Sequence, residues 1–261
     1  MGEGIQATIQ RIMDAQKNSI SQKSNTMQTS QVLTSFKCTE CEDTTWVQTE
    51  TGAMRRCSCF EKDKAVRMFK ASGINPEQSD FTFGNYEVWN KASEKIKSTA
   101  AAYFKNYDSI KNTRKNSLAL LGEPGAGKTH ITIATGLNLL NKKNVAVVYL
   151  AYRDVISKMK RNMIDEEYMS KEMSKYQMAE VLLIDDLLKG NVTKSDNSIL
   201  FEIINYRYMN NKPIIVSSEY TVEELLSFDE AIGSRIYEMC KDYLVQVEKV
   251  RENNYRVREV C

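Results

Sequence analysis

Residues 122–130 read Gly122-Glu123-Pro124-Gly125-Ala126-Gly127-Lys128-Thr129-His130. Two glycines with four residues between them, then lysine and a hydroxyl residue, form the pattern of a phosphate-binding loop when a strand precedes and a helix follows. Both flanks comply: Ser117-Leu118-Ala119-Leu120-Leu121 is a short apolar run, and the residues after Thr129 have helical character. Glycine lets the backbone turn its N–H groups towards phosphate oxygens without a Cβ in the way, and the helix presents its partly positive N-terminus to the same charge. Gly122 to His130 are therefore the candidate contacts for ATP or ADP. Lys128 is placed to reach the β and γ phosphates and Thr129 to give a hydroxyl ligand to Mg2+. His130 is the sole histidine. It falls in the first helical turn and is read as packing beside the loop, without a catalytic role.

Outward from the loop, the runs at 145–150, 181–186, 213–218 and 243–247 are short and rich in Val, Ile and Leu, with helix-length stretches between them. Strands buried on both faces of a parallel sheet have this unbroken apolar character. The expected fold is α/β, a parallel sheet with helices on both faces. In the run Val181-Leu182-Leu183-Ile184-Asp185-Asp186 four apolar residues bring two carboxylates to a strand's C-terminal end, the edge at which open α/β sheets bind ligands. Asp185 is the candidate second ligand for Mg2+, and Asp186 the group that orients or deprotonates the attacking water. The 56 residues between Lys128 and Asp185 leave room for another strand and two helices, which suits a hydrolase better than a small nucleotide kinase.

The 261 residues, 42% hydrophobic, suffice for one main core plus a small appendage. With 36 basic and 34 acidic residues the net charge is +2, so any nucleic-acid surface is local. No apolar run approaches the roughly 20 residues of a membrane span. The N-terminus lacks the basic-then-apolar order of a secretory signal, which predicts a cytoplasmic protein. Ile5, Ile9, Ile12 and Met13 share a helical face over residues 5–17, and 18–31 is a polar tether. Four of the six cysteines, Cys38, Cys41, Cys57 and Cys59, follow the order Cys-x2-Cys-x15-Cys-x-Cys. Two close thiolate pairs of this kind complete a tetrahedral, structural Zn2+ site with no open position. Helices are expected over 61–72 and 90–106, the latter with Ile96, Ala100 and Tyr103 inward. The expected division is a zinc-binding region at 1–75 and a nucleotide-binding domain at 76–261.

Taken in order, these motifs resemble the bacterial DnaC/DnaI-type replicative helicase loaders, AAA+ ATPases related to the IstB transposition helpers. The resemblance covers residues 72 to about 250. Ser72 to Tyr86 resembles the segment ahead of the family's ATPase domain, GEPGAGKTH its phosphate loop and VLLIDDL its Walker B strand. The stretch from Phe201 to Leu226 resembles its helix, sensor strand and next helix, and GSRIYEM its arginine-finger box. The resemblance implies that Arg235 reaches the ATP of a neighbouring subunit, a task suited to a guanidinium fork. It implies self-association through the ATPase domain and a DNA-contacting helical insertion at Tyr152 to Tyr176. There Arg153, Lys158, Lys160 and Arg161 are basic and Tyr152 is available for base stacking. Glu219 stands where many relatives have Asn, leaving Ser218 as the polar sensor. The cysteine region is similar to the helicase-attaching zinc domain of DnaI-type loaders.

The function so implied, for a chromosomal or phage-encoded protein, is an ATP-dependent loader. It holds a hexameric replicative helicase and places it on single-stranded DNA. The alternatives are an IstB-like transposition helper acting on duplex DNA, which the cysteine cluster disfavours, and a non-catalytic helicase adaptor or inhibitor switched by nucleotide, which Glu219 favours.

Overall fold

In the computed structural model, which describes residues 36–257, the chain divides between Lys70 and Ala71 into two compact units. The expected helix at 5–17, the tether at 18–31 and Cys261 lie outside the described residues. In the first unit β1 (Trp46–Gln48) pairs antiparallel with β2 (Met54–Arg56), Trp46 opposite Arg56. The connecting turn closes through Thr49 N–H to the Ala53 carbonyl at 2.8 Å and uses Gly52 at φ +83°. Helix α1 (Ser58–Ser72) starts three residues before the sequence expectation, so Cys59 lies in its first turn.

The second unit opens with α2 (Lys91–Ile110), whose start is a capping box: Asn90 accepts from the Ser93 N–H and Ser93 accepts from the Asn90 N–H. Ile96, Ala100, Tyr103 and Tyr107 lie on its buried face. The helix outruns the expected end at 106 because Tyr107 continues the four-residue spacing inward. Then follow β3 (Leu118–Gly122), α3 (Lys128–Lys143), β4 (Val147–Ala151), α4 (Tyr152–Arg161) and α5 (Glu166–Met178). The chain continues through β5 (Val181–Leu187), α6 (Lys194–Met209), β6 (Ile214–Ser218), α7 (Val222–Phe228), α8 (Glu230–Cys240) and β7 (Leu244–Val247). Val145 and Ala146, expected in a strand, instead finish α3: Asn144 turns left-handed at φ +54° and the Val145 N–H bonds the Leu139 carbonyl.

The five strands of this unit are all parallel, in the order β4-β5-β6-β3-β7. Ala119, Leu121, Leu182, Ile184, Ile214 and Val216 point into one core with Ile199, Ile203 and Ile236 of α6 and α8. Alternate residues serve the other face, where Gly136 of α3 lies so close to Leu183 that a Cβ would come within 2.6 Å of its Cδ1. Two-sided burial is why the strands read as unbroken apolar runs. The order places the β3–α3 connection between the ends of β6 and β7, at the sheet's switch point.

Arg207 of α6 is fully buried. Its Nη1 donates to the carbonyls of Tyr176, Gln177 and Ala179 at 2.9–3.1 Å, and its Nη2 to Pro213 at 2.5 Å. The guanidinium thus caps the C-terminal end of α5 and ties it to the start of β6, where a cation also suits the helix dipole. Burial lowers its pKa to about 9. Arg207→Met removes the donor of the Tyr176, Gln177 and Ala179 carbonyls, and a loss on the order of 3 kcal/mol is expected in urea denaturation. A midpoint unchanged from wild type would show that the caps contribute nothing.

Candidate functional site

The loop between β3 and α3 is shaped by close approaches on three sides. Gly122, Gly125 and Gly127 have φ of +99°, +73° and +80°. A Cβ at Gly122 would meet the Val247 carbonyl oxygen at 1.9 Å, one at Gly125 the Asn254 Oδ1 at 2.1 Å, and one at Gly127 the Tyr86 ring at 2.6 Å. Two segments hold the loop. From one side Tyr86 donates its hydroxyl to the buried Ala126 carbonyl at 3.2 Å. From the other, Tyr255 donates its N–H to the Gly125 carbonyl, its hydroxyl bonds Glu87 at 2.6 Å, and Asn254 reaches Glu123 at 3.4 Å. His130 stacks on Phe81 at 4.6 Å, its Nε2 is 2.9 Å from the Thr82 carbonyl, and burial lowers its pKa. It binds the upstream segment to α3.

Lys128 opens α3 with its side chain buried, and Nζ donates to the Gly122 and Glu123 carbonyls at 2.9 and 2.7 Å. Burial pulls its pKa down to about 8, against the opposing pull of Glu219, Asp186 and Glu123. Two neutral carbonyls do not neutralise a buried ammonium, so this cation fits an anionic phosphate.

Strand β5 brings the acids to the same edge. Asp185 is buried and accepts from Ser217 Oγ at 2.5 Å and from the Tyr149 hydroxyl at 3.1 Å, and the Thr129 hydroxyl lies near enough to favour its charged form. Burial raises its pKa, partly countered by these hydroxyls. Thr129 and Asp185, the expected pair of Mg2+ ligands, thus face the same cavity side by side, an all-oxygen donor set that suits a hard divalent cation. Between Ile184 and Leu187 the register with β6 shifts, and Asp186 sits in the bulge at φ +55°. Its N–H donates to Ser217 Oγ at 2.9 Å, and its carboxylate pairs with Lys189 at 2.9 Å. Lys189 also pairs with Glu219 at 3.2 Å. Ser218, expected as the polar sensor, turns away: buried, it donates to the Leu187 carbonyl at 2.7 Å and accepts the Tyr220 N–H. Ser217 is the hydroxyl that reaches the acids.

A cavity of about 770 Å³ joins these parts, lined among others by Pro124, Gly125, Lys128, Thr129, Asp185 and Asp186. Arg235 does not line it. Its guanidinium lies 5.4 Å from the Phe201 and Tyr208 rings, with Nη1 on the Ala231 carbonyl at 2.7 Å. In the basic segment the expectation for Tyr152 is overturned, because its ring is buried in the core and cannot stack on a base. Lys160 is likewise committed, to Asp196 at 2.7 Å. Arg153, Lys158 and Arg161 are exposed.

In the first unit the sulfurs of Cys38, Cys41, Cys57 and Cys59 all lie within 4.8 Å of one another, with Cys38–Cys57 at 3.7 Å and Cys41–Cys59 at 3.4 Å. A tetrahedral site with Zn–S of about 2.3 Å sets its sulfurs roughly 3.8 Å apart, so the four thiols fit Zn2+. The turn after Cys41 passes through left-handed Glu42, Asp43 and Thr45, and Asp43 accepts the Cys38 N–H at 2.9 Å. Arg55 pairs with Glu40 at 2.9 Å, while Arg56 lies over the Trp46 and Phe60 rings at 4.1 and 4.4 Å.

Tyr149, Lys189, Ser217, Asn254 and Tyr255 escaped the sequence reading. All but Lys189 act through partners distant in the chain, and only Lys189, three residues behind Asp186, carried a local signal.

The model of the IstB-like ATP binding protein family matches residues 62–259. The phage-like element PBSX protein XkdC of Bacillus subtilis (strain 168) is 37% identical over 212 residues, 78% of this chain and 79% of that one. The replicative helicase loader DnaC of Escherichia coli (strain K12) is 27% identical over 202 residues, 74% of this chain and 78% of the relative. The crystal structure of the DnaC helicase loader matches with a TM-score of 0.57 at 24% identity, covering 66% of this chain and 98% of that one, a likeness of fold. The matched span contains the loop, both acids and the strand order that joins them, and the chain belongs to the IstB-like ATP binding family, as a DnaC-related AAA+ ATPase.

Proposed function

We propose that this protein is an ATP-dependent loader, acting in the cytoplasm, that binds a hexameric replicative helicase and places it on single-stranded DNA as replication begins. The observation that carries this reading is the similarity to the replicative helicase loader DnaC across most of both chains. A relative within a phage-like element supports a phage or prophage origin. In this reading residues 1–75, with Zn2+ on Cys38, Cys41, Cys57 and Cys59, attach the helicase, and residues 76–261 form the ATPase. No helix among the described residues is long and apolar enough to cross a membrane.

The roles follow from position. The amides of Gly122 to Gly127 cradle the phosphates, and Lys128 neutralises the β and γ oxygens. Mg2+, held by Thr129 and Asp185, would supply positive charge to the same oxygens as negative charge develops. Asp186 receives the proton of the attacking water. Arg235, outside its own subunit's cavity, exchanges its bond to the Ala231 carbonyl for a neighbour's γ-phosphate, so ATP promotes assembly and its conversion to ADP releases the loader. The transposition-helper reading draws on the family's name. Retention of a purified replicative helicase but not of a transposase separates the two.

Lys128→Ala is expected to retain helicase but fail to load it in a single-strand unwinding assay. Normal loading by that variant would refute the nucleotide mechanism. Purified protein should carry about one zinc per chain by elemental analysis, lost when Cys38 and Cys41 are changed to Ser. An unchanged N-terminal fold in metal-free protein would refute the zinc assignment. Lys158→Ala combined with Arg161→Ala should weaken single-strand binding and flatten its dependence on log salt by roughly 0.7 for each phosphate no longer neutralised. Identical slopes would remove α4 from the DNA path.

A further inference from the structure

Asp186 stands in a bulge, with left-handed backbone, at the open edge of a sheet. A carboxylate there has Asp185 beside it in sequence and Glu219 across the gap at the end of β6. Unbalanced, the three acids repel one another and turn Asp186 towards solvent. Two contacts oppose this. Ser217 Oγ fixes its N–H at 2.9 Å, and Lys189, three residues on, holds its carboxylate at 2.9 Å. Lys189 in turn reaches Glu219 at 3.2 Å, so one ammonium bridges the ends of β5 and β6. Lys189, Asp186 and Glu219 all line the cavity that holds Lys128 and Thr129. A bare acid in the polar sensor's place would repel γ-phosphate. An acid that anchors a lysine leaves the local charge near balance and fixes the neighbouring carboxylate.

We propose that Lys189 is a positioning residue for ATP hydrolysis: its ammonium, anchored by Glu219, holds the Asp186 carboxylate at the cavity wall. The proposal rests on the reading of Asp186 as the base. In the step it serves, the water oxygen forms a bond to the γ-phosphorus and gives its proton to Asp186. The bond from γ-phosphorus to the bridging oxygen breaks, and ADP leaves with that electron pair. Glu219 thereby acts on the reaction through two side chains. The bond from Lys189 supplies the order that a sensor Asn supplies by direct contact.

The test is steady-state turnover by the full chain, paired with calorimetric ATP binding in the presence of Mg2+. Lys189→Met should lower kcat about 10-fold or more with the ATP Kd within about 3-fold of wild type, since fixing the base contributes to turnover and not to ground-state binding. Lys189→Arg should restore most of the rate. Glu219→Gln should lower kcat in the wild-type background and add nothing to Lys189→Met, because both changes break one chain of interactions. Lys189 is half-exposed, so these variants are expected to fold. Asp186→Asn serves as the reference. If Asp186→Asn turns over normally, the base reading fails and the proposal with it. If Asp186→Asn is inactive while Lys189→Met matches wild type, or if Lys189→Met weakens ATP binding in proportion to its loss of rate, the positioning role alone is overturned.

Discussion

A lysine ammonium carried into the floor of a cavity, held only by two carbonyl oxygens, is the constraint around which this ATPase unit is arranged. Lys128 reaches both carbonyls only because the loop beneath it folds back on itself. That folding needs three left-handed glycines, each pressed by a different neighbour: Val247 of β7, Asn254 beyond it, and Tyr86 of the upstream segment. The phosphate loop is therefore a junction where the upstream segment and the chain's far end meet, brought together from positions more than 100 residues apart in sequence. A side chain at any of these glycines would displace a whole segment as well as crowd the ligand.

The acids across the cavity depend on a second departure from regular structure. A β5 strand in perfect register would send Asp185 and Asp186 to opposite faces of the sheet, one of them into the hydrophobic core. The bulge between Ile184 and Leu187 keeps both near the edge, and a single hydroxyl, Ser217 Oγ, serves both by donating to Asp185 and accepting from the Asp186 N–H. The cost of an L-residue at positive φ is of order 1 kcal/mol or more, offset by these bonds.

Much of this was legible in the sequence, and the limits are physical. Glycine spacing announces a loop that must approach phosphate, unbroken apolar runs announce strands covered on both faces, and paired cysteines announce a tetrahedral metal. Each is a local pattern. The errors share another cause. Tyr152 follows a strand and begins a basic stretch, so it resembles a stacking residue, but at the start of α4 its ring faces the core beside Ile156 and Met159. Ser217 and Ser218 are equivalent as letters, and only strand alternation, set by which face meets β5, decides which hydroxyl reaches the acids. The strand expected at Val145 was lost to a helix end that Asn144 makes in the left-handed region. Partners such as Asn254 and Tyr255 carry no motif because their geometry exists only after the sheet has formed.

Two adjacent aspartates have been given unlike surroundings, and the difference separates their chemistry. Asp185 is buried against the hydroxyls of Ser217 and Tyr149, neutral donors that orient its oxygens without competing for a cation, as the proposed metal ligand requires. Asp186 is half-exposed and faces an ammonium, surroundings that leave a carboxylate accessible to water and fixed in direction. Exchanging the two would fail on both counts: an ammonium beside the metal ligand would repel the metal, and a base enclosed by hydroxyl donors would have its lone pairs occupied. The bulge thus gives the two side chains unlike neighbours, and in the proposed mechanism this one distortion in β5 is what lets one aspartate take the metal and the other the proton.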